Sequence, residues 1–200
     1  MKIGIFGGTF SPPHMGHVRA AREFIIAMEL DKLLVIPTST SPHKAMIKTA
    51  APELRLEMCR IAFDMGRCEV SDIEIRRGGK SYTVLTLEEL RDIYPKDELM
   101  FLCGTDMFLT LDRWFRAADI FKICTIVYVR REVDIVTERE IKEKIDIYRE
   151  QYGAKIRHIS PRPTELSSTE VRDVNKNDGD ISEMVPPAVE EFIRCHGLYE

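Results

Sequence analysis

Short apolar runs that stop at glycine or proline alternate along this chain with longer segments whose apolar residues recur every three or four positions. This alternation limits the fold more than any other feature. Ile3-Gly4-Ile5-Phe6 ends at Gly7-Gly8, Leu33-Leu34-Val35-Ile36 at Pro37, and Leu99-Met100-Phe101-Leu102-Cys103 at Gly104. Cys124–Val129 and Lys155–Ile159 read as further strands, and Val70–Ile75 alternates as a strand does. Val18–Leu30 carries Val18, Ala21, Phe24, Ile25 and Met28 at helical spacing. Pro52–Asp64, with Pro52 suited to a first turn, and Tyr82–Tyr94, ended by Pro95, repeat that pattern. Glu138–Tyr152 reads as an exposed charged helix, solvated or at an interface, and two short helices follow near Thr169–Asn175 and Ala188–His196. Strand–helix alternation at this spacing predicts a doubly wound, mainly parallel α/β sheet covered on both faces, with ligands outside the carboxyl ends of its strands. The expected organisation is one domain over residues 1–200. Its sheet spans about 1–160 and its small helical part about 165–200, with a hinge at Ser160–Thr164.

The 29 Lys+Arg against 33 Asp+Glu leave a net charge of −4, which argues against a general nucleic-acid binder. Any polyanionic ligand must be held by a local positive cluster. No apolar stretch approaches the roughly 20 residues of a membrane-spanning helix, and the first residues lack a secretory pattern, so the expected location is the cytoplasm, with no membrane partner. Five cysteines, an odd number with no Cys-x-x-Cys pair, read as reduced core thiols and speak against a disulfide framework or a zinc site. A homo-oligomer is compatible with the sequence.

Gly7-Gly8-Thr9-Phe10-Ser11-Pro12-Pro13-His14-Met15-Gly16-His17 falls where the first strand gives way to the first helix. Glycines there let backbone approach a ligand, and the helix N-terminus adds N–H groups and a positive dipole end. His14 and His17 are three apart and point the same way if both lie on the first turn. A Walker loop would need Lys after its glycines, a dinucleotide fingerprint would need G-x-G-x-x-G, and a zinc site would need more than two imidazoles. A tight turn with incidental histidines is the remaining alternative.

The run Gly7-Gly8-Thr9-Phe10-x-Pro12-x-His14-x-Gly16-His17 resembles the His-x-Gly-His signature of the adenylyltransferase superfamily. Nearly the whole chain is similar to its nicotinate mononucleotide branch. The carrying segments are Ser41-Pro42-His43-Lys44, Ser81-Tyr82-Thr83 with Thr86, Gly104-Thr105-Asp106-Met107 with Trp114, Ser167-Ser168-Thr169-Glu170-Val171-Arg172, and Gly197-Leu198-Tyr199. Ser11 stands where the family usually has Asp, and Glu132 replaces the proline that commonly follows the pair Arg130-Arg131. The resemblance implies a Rossmann-like nucleotidyltransferase that moves the adenylyl group of ATP to nicotinate mononucleotide, releasing pyrophosphate. A pantetheine-phosphate enzyme or a non-catalytic nucleotide-binding relative are the competing readings.

The same resemblance implies that His17 serves the α-phosphate and His14 the outer phosphates, with the backbone of Gly7, Gly8, Thr9 and Phe10. Arg172 would hold the departing pyrophosphate beside Ser168 and Thr169; Ser167 and Glu170 also have capping-box spacing. Lys44 would meet the mononucleotide phosphate, Tyr82 and Thr86 the nicotinate carboxylate, Asp106 a ribose hydroxyl and Trp114 the pyridine ring. Asp106 could equally cap a helix, Trp114 serve a core or interface, and Lys44 be a solvated surface residue. His43 would shape the Lys44 loop, while His158 and His196 read as structural. Magnesium is implied as an ion carried on the ATP phosphates, with no protein metal site.

Overall fold

The computed structural model describes residues 1–40, 49–129, 135–160 and 166–200. Its six strands are β1 (Lys2–Gly8), β2 (Lys32–Pro37), β3 (Cys68–Val70), β4 (Glu98–Gly104), β5 (Thr125–Val129) and β6 (Ile156–Ile159). They form one sheet in the order β3-β2-β1-β4-β5-β6, every neighbouring pair parallel. The order reverses between β1 and β4, and the crevice outside their carboxyl ends is where such sheets take ligands.

The helices are α1 (Met15–Ala27), α2 (Pro52–Ala62), α3 (Ile73–Arg77), α4 (Thr83–Ile93), α5 (Thr105–Leu109), α6 (Ala117–Ile123), α7 (Ile135–Tyr152), α8 (Ser168–Lys176) and α9 (Pro187–Cys195), with a 3-10 turn at Leu111–Arg113. Alternate strand residues face opposite layers. Ile3, Ile5, Leu34, Ile36, Phe101 and Ile126 pack in one core cluster, with Leu87 of α4, Ile120 of α6 and Tyr148 of α7. Phe6, Leu33, Val35, Met100, Leu102 and Val127 pack in the other, with Phe24 of α1, Met58 of α2 and Ile193 of α9. A β-carbon at Gly4 would lie 2.4 Å from Leu30 and 2.8 Å from Phe24, so glycine there sets how closely α1 packs on the sheet.

Three expectations need correction. Val70–Ile75 is not one strand: pairing ends when Ser71 N–H bonds the Val35 carbonyl, and α3 begins at Ile73. Asp72 turns the chain, because its carbonyl accepts from Arg76 N–H and its carboxylate from Arg76 Nε. The helix over 138–152 is charged but not simply exposed: Ile141 and Tyr148 are buried on its inner face. Of the cysteines, Cys59, Cys103 and Cys124 are core residues, Cys68 is half-buried and Cys195 exposed; none forms a disulfide. No described helix is long and apolar enough to cross a membrane.

Candidate active site

A cavity of about 800 Å³ opens at the carboxyl ends of β1 and β4, within the range of small-molecule sites. β1 ends at Gly8, and the chain turns through residues 9–13 before α1 begins. Phe10 occupies the left-handed region at φ +47° with its ring buried, edge-on to Phe6 at 5.3 Å and Phe63 at 5.6 Å. A β-carbon at Gly8 would come within 2.8 Å of that ring, whereas one at Gly7 would meet only Phe101 at 3.9 Å. Glycine at position 8 is therefore required by the loop's own aromatic anchor.

His14 immediately precedes α1 and His17 lies in its first turn, and their rings stand 3.7 Å apart at 31°. The His14 N–H donates to Nδ1 of His17 at 3.2 Å. That nitrogen is thus an acceptor, and a neutral His17 carries its proton on Nε2. The Met15 N–H at the start of α1 donates to the Met184 carbonyl at 2.8 Å, tying the histidine turn to the segment before α9.

Two arginines brace the loop from behind. Arg172, on α8, donates to the Ser11 carbonyl at 2.7 Å, the Ser168 carbonyl at 3.0 Å and the Thr169 hydroxyl at 3.0 Å. Ser168 Oγ donates to the Pro12 carbonyl at 2.9 Å, and Ser167 caps α8 by accepting from Glu170 N–H at 3.1 Å. The capping arrangement and the approach of Arg172 to the cavity therefore coexist. Arg55, on α2, is 2% exposed and donates to three carbonyls: Thr9 at 2.8 Å, Ala50 at 3.0 Å and Ser39 at 3.0 Å. Burial pushes its guanidinium below the usual range. Ser11 Oγ accepts from Ala50 N–H at 3.2 Å and pairs with the Tyr199 hydroxyl at 3.0 Å. Burial pushes that phenol up to about 12.

The opposite wall comes from α4, α5 and the turn before α6. Tyr82 precedes α4 and packs against Phe115 at 4.8 Å; Trp114 stands edge-on to Phe101 at 6.2 Å. Asp106 lies exposed in the first turn of α5, which Gly104 precedes without a side-chain cap, so Asp106 does not cap that helix. Thr86 is buried, its hydroxyl donating to Glu74 Oε1 at 2.6 Å and accepting from Arg77 at 2.8 Å. Its backbone neighbours, and not that hydroxyl, are what α4 offers to a ligand.

His14, His17, Gly7, Gly8, Thr9 and Phe10 thus line one cavity, which Ser168, Thr169, Arg172, Tyr82, Thr86, Asp106 and Trp114 also reach. Lys44, His43, Arg130, Arg131 and Glu132, and prolines 161 and 163 of the expected hinge, lie outside the described residues. Sequence reasoning missed Arg55 and Glu74. Arg55 had a signal, since it shares the buried stripe of α2 with Cys59 and Ala62 at positions i, i+4 and i+7.

Among the described residues no group of three or more His, Cys, Asp or Glu is placed to hold a metal ion.

This sheet order, with paired histidines at the β1–α1 junction, defines a nucleotide-binding α/β transferase. Residues 5–174 match the cytidylyltransferase-like family, and the chain belongs to it. Within that family it groups with the nicotinate-nucleotide adenylyltransferases. It is 37% identical over the full length of both chains to a relative from Trichlorobacter lovleyi described as a probable nicotinate-nucleotide adenylyltransferase. It is 35% identical to one of the same description from Oceanobacillus iheyensis, covering 99% of this chain and 96% of that one. The fold matches the Plasmodium falciparum nicotinic acid mononucleotide adenylyltransferase complexed with NaAD at a TM-score of 0.77, with 16% identity over 99% of this chain and 97% of that one.

Proposed function

We propose that this protein transfers the adenylyl group of ATP to nicotinate mononucleotide, giving nicotinic acid adenine dinucleotide and pyrophosphate in NAD biosynthesis. The observation that carries the reading is the stacked His14–His17 pair facing the same cavity as Arg172, at the switch point of the sheet. A 5′-phosphate with a second pKa of about 6 is already ionised at neutral pH, so attack on the α-phosphorus needs no general base and no covalent nucleophile. Catalysis then rests on positioning and on donors aimed at the charge that develops on the phosphates.

His17, with its proton on Nε2, donates to the α-phosphate, and His14 serves the outer phosphates with the 8–10 backbone. Arg172 steadies the leaving pyrophosphate while its other bonds hold Ser11 and Ser168 in place. Asp106 meets a ribose hydroxyl, Trp114 the pyridine ring, and the start of α4 around Tyr82 the nicotinate carboxylate; Lys44 meets the mononucleotide phosphate. Magnesium would be carried on the triphosphate, where it would neutralise part of the phosphate charge. The reading places the reaction in the cytoplasm. It is tested by pyrophosphate release from ATP with nicotinate mononucleotide, nicotinamide mononucleotide or phosphopantetheine. Turnover is expected chiefly with the first; preference for phosphopantetheine, or nucleotide binding with no turnover, overturns it.

A further inference from the structure

Glu74 is the buried acid of this cavity. It is 5% exposed and lines the pocket from α3, the short helix that replaces the expected strand. Oε1 accepts the Thr86 hydroxyl proton at 2.6 Å, while Oε2 is buried and makes no hydrogen bond among the described residues. A buried carboxylate so thinly served is costly unless a charge lies near. Arg77 supplies it, 4.0 Å from Oε1, while also donating to Thr86 Oγ1 and to Glu89 at 3.1 Å. The Arg77–Thr86–Glu74 chain therefore runs from the surface to the floor of the pocket and orients the Thr86 hydroxyl in one direction.

Thr86 belongs to the first turn of α4. Its N–H and that of Leu85 bond the Tyr82 carbonyl, and no side chain caps the helix. The backbone N–H groups of Thr83 and Val84 precede these bonds and point along the helix start, where a carboxylate is favoured. The loop leading into this turn is fixed from the other side: Ser39 N–H donates to Ser81 Oγ at 2.9 Å, and Ser81 N–H to the Thr40 carbonyl at 2.9 Å. Glu74 thus sits beneath an anion-accepting helix start that is clamped at both ends.

We propose that Glu74 is a positioning residue for the acceptor: through Thr86 it holds the start of α4 where the carboxylate of the pyridine ring is read. The inference rests on the reaction proposed above. Burial pushes the Glu74 carboxyl up, opposed by Thr86, nearby Ser81 and Arg77. Pairing with Arg77 keeps the acid from repelling a substrate carboxylate, so its effect on the ligand is orientational.

The test is steady-state kinetics of the full chain and its Glu74→Gln and Arg77→Met variants, titrating nicotinate mononucleotide, nicotinamide mononucleotide and ATP separately. Gln keeps an acceptor for Thr86 but removes the charge; loss of a charged hydrogen bond predicts a rise of about ten-fold in KM for the nicotinate acceptor. KM for ATP and for the carboxamide acceptor should stay within about two-fold, so discrimination between the acceptors shrinks. Arg77→Met should shift the same ratio by about three-fold, and it carries the test if Glu74→Gln fails to fold. A merely structural role would lower the active fraction and leave the KM ratio unchanged. An unchanged ratio, or all three KM values rising together, overturns the proposal while the reaction stands. A wild-type chain that releases no pyrophosphate with nicotinate mononucleotide overturns both.

Discussion

The two walls of the cavity are backed by cations held in opposite ways. On the phosphate wall, Arg55 and Arg172 spend their bonds on carbonyls and one hydroxyl, and among the described residues neither pairs with a carboxylate. Behind the acceptor wall three cations meet acid, Arg77 with Glu74 and Glu89, Arg116 with Glu88 and Asp119, and Lys144 with Asp112, while Lys80 and Arg113 line the cavity itself. Carbonyl acceptors order a guanidinium without cancelling its charge; carboxylates do both. In a chain of net charge −4, Arg55 and Arg172 thus keep an uncompensated positive charge beside the histidine loop.

The strongest way to break this contrast is His17→Ala. Removing a donor aimed at the reacting phosphate should lower kcat by about 100- to 1,000-fold while leaving the melting temperature nearly unchanged, because His17 is only half-buried. A loss confined to acceptor KM would move His17 to the other wall. Arg55→Met should cost about 3 kcal/mol in urea denaturation, since three carbonyls lose a charged donor inside the protein, and should weaken ATP more than the acceptor. Arg55→Lys should not restore it, one ammonium being unable to serve three carbonyls spread as these are. Water replacing the guanidinium would show as a loss below about 1 kcal/mol.

Tyr199→Phe sharpens the comparison further by removing the Ser11 partner without touching either arginine. About 1 kcal/mol of stability should be lost, with acceptor KM unmoved. The smallest effect belongs to the acceptor wall. Partial burial pushes the Asp112 carboxyl up, but hydrogen bonds from Lys144 and Tyr148 outweigh it and hold the group below its usual range. A depressed folded value stabilises above the unfolded value of about 3.9 and is lost as pH falls through the folded value. Asp112→Asn should therefore cost at most about 1 kcal/mol at neutral pH, half-screened as the pair is, and the difference from wild type in thermal melts should vanish below that folded value.

The same contrast explains what could be read from residues alone. The histidine side of the cavity was legible because residues 7–17 are contiguous: strand end, loop and helix start bring the glycines and both imidazoles to it within eleven positions. The centre of the sheet was legible because β1, β2, β4 and β5 are apolar runs covered on both faces. The acceptor wall is assembled from segments 73–86 and 104–115, whose elements near Trp114 run only three to seven residues, too few turns for a helical period to show. Glu74 was hidden within the apparent alternation of Val70–Ile75, where Ile73 and Ile75 imitate one face of a strand. Arg55 was hidden because its three carbonyl partners belong to separate stretches of chain that only the fold brings together.

The bond between Ser11 and Tyr199 joins positions 188 apart, and Met15 waits in the same way for Met184. Synthesis runs from the N-terminal side, so the histidine turn is made long before the residues that complete its bonding. The turn therefore lacks these two bonds until Met184 and Tyr199 have been made. Onset of activity should accordingly follow synthesis of Tyr199 rather than of β6, the last of the six strands.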